Sequence, residues 1–182
     1  MSGGQILTVV SIWITILTFA TGSAIFALSG NRIKWHWKAR VVWTIACFAL
    51  LAHTISAFHF FHHWSHDAAY RETARQTEEV FGFKSGIGIY FNYILVILWI
   101  IDVCWWWLKG LESYRHRHWT LVVAWHTFLI FMFFNATFVF GNGFVRWLGL
   151  CVCTALLFVW WIAWRSQRNN NKEPGAVALR VQ

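Results

Sequence analysis

Apolar residues in this chain are gathered into five long blocks: Ile6 to Leu28, Val41 to Phe61, Ile87 to Leu108, Trp119 to Phe140 and Phe144 to Trp164. Each approximates the roughly 20 residues that a helix needs to cross a hydrocarbon core about 30 Å thick. Backbone polar groups find no partner in lipid, so only helices or closed barrels can span it. A barrel requires short strands alternating apolar and polar residues, and these blocks are too long and too uniform for that. The expected fold class is therefore all-α: an integral membrane bundle of five transmembrane helices over residues 1–164, followed by a flexible polar tail, 165–182. Composition agrees, with 58% hydrophobic and only 12% charged residues. Many of the fifteen tryptophans fall near block ends, where amphipathic rings favour the headgroup layer.

A formal charge of +8 would suit a nucleic-acid binder, but the position of the charges excludes that partner. Arg32, Lys34, Lys38 and Arg40 precede the second block, Lys109, Arg115 and Arg117 follow the third, and Arg165, Arg168, Lys172 and Arg180 follow the fifth. Arg71, Arg75, Lys84 and Arg146 belong to the opposite side, among Asp67, Glu72, Glu78 and Glu79. Basic loops stay in the cytoplasm, so the N-terminus is expected outside, the C-terminus in the cytoplasm, and the lipid bilayer of a plasma membrane as the partner. The first block is longer than a signal-peptide core and no positive residue precedes it, so it is expected to be retained. Cys47, Cys104, Cys151 and Cys153 lie inside apolar blocks without CxxC spacing and read as small packing residues.

Thr8, Ser11, Thr15, Thr18 and Gly22 form a stripe of small residues on the first helix. Such a stripe lets a second backbone approach, within the chain or in a homo-oligomer or membrane-complex partner. The connection 62–86 is expected to be an outer helix, because no Gly or Pro interrupts His62 to Phe81. Gly82, Gly86 and Gly88 then turn the chain into the third block.

Four of nine histidines sit at the junction of the second block with this connection: His59, His62, His63 and His66, followed by Asp67. On one continuous helix their offsets of 0, 3, 4 and 7 would place them within an arc of about 100°. Imidazole with a carboxylate suits a transition metal such as Zn, Cu or Fe, with Glu72, Glu78, Glu79, Tyr90, Asn92 or Tyr93 as further ligands. The same residues also suit an amphipathic boundary hydrogen-bonded to water and headgroups, or a proton-sensitive switch. His59-x-x-His62-His63 is similar to one histidine box of membrane fatty-acid desaturases and hydroxylases. Those enzymes need several further boxes on the cytoplasmic side, and their activity is not carried over.

Deeper in the blocks lie His53, Asp102, His126 and Asn135. An ionisable group in hydrocarbon costs about 2.5–3.5 kcal/mol on insertion scales and faces the bundle interior with a partner. Asp102 and His126 are at similar depth from one side and are expected to form a buried hydrogen-bonded pair. Bis-histidine haem through His53 and His126 is disfavoured, because their depths differ by roughly 6 Å. Glycine-rich phosphate loops, GxSxG and HExxH are absent from the sequence, so no reaction is assigned. A metal-dependent membrane protein and a purely structural or complex-subunit component both remain open. The run His62-His-Trp-Ser-His66, with Tyr90-Phe-Asn-Tyr93 and Asp102 before Trp105-Trp-Trp107, resembles a group of small bacterial multi-pass membrane proteins. That resemblance implies a bacterial plasma membrane and brings no activity with it.

Overall fold

A computed structural model describes residues 3–29, 32–141 and 143–172. Among the described residues the chain is helical throughout: α1 Gly3–Leu28, α2 Ile33–Phe60, α3 His66–Phe81, α4 Gly88–Arg115, α5 Trp119–Phe134 and α6 Phe144–Lys172, with a π-helical turn at Asn135–Val139. Five helices, all but the polar α3, are long and apolar enough to cross a membrane, α5 doing so together with its π turn. Large apolar side chains such as Phe48, Ile97, Leu108 and Leu157 point outward on these helices. That surface matches lipid and would not match water.

Helix ends differ from the apolar blocks where helix formers extend beyond the hydrophobic run. α2 begins at Ile33 instead of Val41, so the basic stretch before it is helical and not a loop. α6 runs to Lys172, because Leu150 to Lys172 contains no Gly or Pro. The first part of the expected flexible tail is thus helix, and its remainder, 173–182, lies outside the described residues. At Asn135 the α-helical ladder gives way to π geometry, with Phe140 N–H bonding the Asn135 carbonyl. Thr137, almost fully buried, fits here because Gly141 and Gly149 have no Cβ; one added at either would clash with it.

α1 packs mainly on α2, and the small stripe forms that contact: Ser11, Thr15 and Gly22 are buried, and a Cβ at Gly22 would stand 3.3 Å from the Trp43 ring. This face is therefore used within the chain. α4 packs on α2, and α5 and α6 close the bundle against one another and against α4 and α1. An aromatic centre joins four helices. Phe19 lies 5.8 Å from Trp43, 5.9 Å from Trp99 and 5.7 Å from Phe133, and Trp43 lies 5.2 Å from Trp99. Tilted and edge-on pairs of this kind contribute about 0.5–1.5 kcal/mol each beyond burial.

Candidate functional site

The helix carrying the histidine cluster does not continue as one rod. α2 ends at Phe60, His63 and Trp64 adopt positive φ of 49° and 59°, and Ser65 caps α3 by accepting from the Ala68 N–H at 3.2 Å. Two consecutive left-handed residues and a new N-cap reverse the chain, so the expected single imidazole face does not form. His59 Nδ1 accepts from the Trp64 indole at 3.3 Å. His66 meets two tyrosine hydroxyls, Tyr93 at 2.9 Å from Nδ1 and Tyr90 at 3.4 Å from Nε2. Asp67 is exposed and pairs with Arg71 at 2.7 Å. His63 sits exposed in the turn. Among the described residues no three His, Cys, Asp or Glu side chains come together to hold a metal ion. The sequence spacing read as convergent is divided between a helix end, a turn and a second helix.

α3 is instead a roof. Its exposed flank carries Arg75 and Glu79, which form an ion pair, and Arg75 also reaches Glu72, at 2.6 Å, on the edge of the cavity beneath α3. Its other flank covers a cavity of about 820 Å³ bounded by α1, α2, α4, α5 and the π turn. The walls are apolar, from Ile16, Phe19, Leu50, Leu95, Trp99 and Leu129. Polar side chains collect near the roof: His62, Glu72, Gln76 and Thr77 from the connection, with Asn92 and Tyr93 from the first turns of α4. Among the described residues no Lys or Arg lines it. Partial burial pushes the His62 imidazole below its ordinary value, against the opposing pull of Glu72. The hydrogen bond from Arg75 holds the Glu72 carboxyl below the usual carboxylate range.

His53, set aside above as a haem ligand, lies deeper on the same wall. Its Nδ1 is 2.9 Å from the Thr8 carbonyl oxygen, a bond that ties α2 to α1. A carbonyl only accepts, so Nδ1 carries the proton in that bond.

The opposite end of the bundle holds Asp102. It is 7% exposed, and its carboxylate accepts from the Trp43 indole at 2.9 Å, the Tyr114 hydroxyl at 2.8 Å and the Arg117 guanidinium. Arg117 lies over the Tyr114 ring at 3.5 Å and also donates to the Tyr114 carbonyl at 2.9 Å; Tyr114 stacks on Trp106 at 4.0 Å. Gly110, with φ 75° and ψ 177°, breaks α4 so that the segment behind it folds Tyr114 and Arg117 back onto Asp102. Those torsions are essentially restricted to glycine. His126 is equally buried, but its Nδ1 donates to the Val122 carbonyl at 2.7 Å. Among the described residues, the direct Asp102–His126 hydrogen bond expected from their depth is replaced by a link through Trp43. Its indole bonds Asp102 while its ring lies 6.4 Å from the His126 ring.

Arg117 was the missed residue, read from sequence as a loop cation. The available signal was Gly110, a glycine inside a long apolar helix, which marks a place where the backbone can leave helical geometry. Together these features define the class: a five-helix bundle suited to a membrane, with a roofed apolar cavity at one end and a buried ion pair at the other. No family model, curated protein or solved structure matches the chain.

Proposed function

We propose that the chain is a multi-pass plasma-membrane protein, N-terminus outside and C-terminal end cytoplasmic, that holds an amphipathic molecule in the cavity under α3. The observation that carries this reading is the cavity itself: about 820 Å³, apolar in its depth and polar beneath the roof. Sites for small organic ligands have this size and this pattern, a mostly apolar concavity with a few placed polar groups. Lipids and lipid-like molecules have the matching division into an apolar body and a polar end. The orientation rests on the exposed Arg32, Lys34, Lys38, Lys109 and Arg115, which belong to the cytoplasmic side by the positive-inside rule.

The test is the lipid content of detergent-purified protein, compared with Ala57→Trp and Ala136→Trp, which place bulk on two walls of the cavity. A discrete molecule that copurifies with the native chain and is lost from both folded variants supports the reading. Equal lipid content in all three removes it.

A further inference from the structure

We propose that the cavity selects an uncharged molecule bearing a hydroxyl or N–H donor on an apolar body, and that His53 recognises that donor through Nε2. The inference rests on the ligand-binding reading of the cavity and gives it a ligand class.

Three observations carry it. The first is the fixed tautomer of His53. Nδ1 is committed as a donor to the Thr8 carbonyl, so Nε2 of the neutral ring bears a lone pair and accepts. Among the described residues Nε2 has no hydrogen-bond partner, and the side chain lines the cavity. His53 is half-buried, so this lone pair is open to the cavity, and a donor brought by a ligand can bond it there.

The second is the charge of the lining. Among the described residues Glu72 is its only formally charged one, and no Lys or Arg lines it to receive a carboxylate or phosphate. The nearby guanidinium of Arg75 is already engaged by Glu72 and Glu79. A fatty-acid carboxylate or a phospholipid phosphate would therefore enter without a counter-ion and beside a like charge. Burying an unpaired ion is far more costly than burying a hydroxyl that is hydrogen-bonded.

The third is depth. His53 is seven residues before the end of α2 at Phe60, roughly 10 Å of helical rise from the turn that leads to the roof. A donor that reaches Nε2 is thus carried into the apolar part of the cavity, which a strongly hydrated head would resist. Thr54 and Thr15, which also line the cavity, return their hydroxyl protons to their own helices, at Leu50 and Ser11 carbonyls. With those protons committed, the two hydroxyl oxygens, like Nε2, present only lone pairs at this level, so a donor is what a ligand must bring to this depth.

The experiment uses three probes of one chain length: hexadecanol, its methyl ether and hexadecanoate. They compete for detergent-held full-length protein, and bound probe is read by native mass spectrometry. The native chain is expected to prefer the alcohol over the ether by about tenfold, the equivalent of one hydrogen bond of about 1.4 kcal/mol, and to bind hexadecanoate least. His53→Leu should abolish the alcohol preference while leaving ether binding unchanged. His53→Gln, whose carbonyl can stand in for Nε2, should restore much of it. Size-exclusion profiles of both variants verify that the His53–Thr8 tie is not needed for folding; should His53→Leu fail to fold, His53→Gln against His53→Phe supplies the same comparison. Equal binding of alcohol and ether by the native chain overturns the ligand class, and so does a preference that survives loss of the imidazole. Failure of all three probes to bind, with no response to Ala57→Trp, overturns the cavity reading beneath it.

Discussion

At the scale of single residues, Asp102 and Arg117 show how a chain with so little charge can place two ions in its interior. Each side chain is 7% exposed, and the carboxylate is satisfied from three sides by Trp43, Tyr114 and Arg117. Breaking such a pair by removing one partner costs about 3–5 kcal/mol, because the other charge stays buried. Arg117→Ala is therefore expected to destabilise the protein by about that amount in a reversible denaturation titration in mixed micelles. Asp102→Asn combined with Arg117→Met removes both charges and keeps an amide oxygen for the Trp43 and Tyr114 donors. That double variant should lie much nearer the native chain than Arg117→Ala does. Comparable losses in the two would show that hydrogen bonding, and not the unpaired charge, dominates the site.

At the scale of elements, the break in α4 and the roof α3 each make a prediction. Gly110 holds a glycine-only conformation, and forcing it to alanine costs about 1–3 kcal/mol or straightens the helix. Straightening would withdraw Tyr114 and Arg117 from Asp102, so Gly110→Ala and Arg117→Ala should be strongly non-additive when combined. Additive effects would mean that the fold-back and the ion pair are independent. For α3, the sign of the pH dependence follows from His62 and Glu72, both of which hold protons less tightly in the folded chain than in the unfolded one. Their stabilising contribution is present above the unfolded values and is lost on acidification, first for His62 below about 6.5 and then for Glu72 below about 4.3. Amide exchange in α3 should accelerate as pH falls through the imidazole range, after correction for intrinsic rates. His62→Ala should remove that first step and leave the carboxylate step in place.

At the scale of the whole molecule, the five apolar blocks are legible because hydrophobic length alone decides what can cross a bilayer, and five apolar helices follow from them. Less legible was where each helix stops. Ile33 to Arg40 is polar enough to read as a loop, yet it lacks a breaker and stays helical; His62 to Ser65 reads as continuous helix, yet two left-handed residues interrupt it. The candidate site divided in the same way. Burial of Asp102 followed from its position in an apolar run, but its partners depended on a fold-back at Gly110 that no periodicity reports. The sidedness of the molecule rests on the basic residues, and burial of Arg117 removes one of them from the loop population. Exposed Arg32, Lys34, Lys38, Lys109 and Arg115 still mark one end, while the other end carries the acidic residues of α3. With Cys47, Cys104, Cys151 and Cys153 replaced, a cysteine at Ser85 should react with a membrane-impermeant maleimide on intact cells, and one at Lys109 only after permeabilisation. The reverse pattern would place the cavity roof in the cytoplasm. Its ligand would then be drawn from the inner leaflet, and the proposed orientation would have to be inverted.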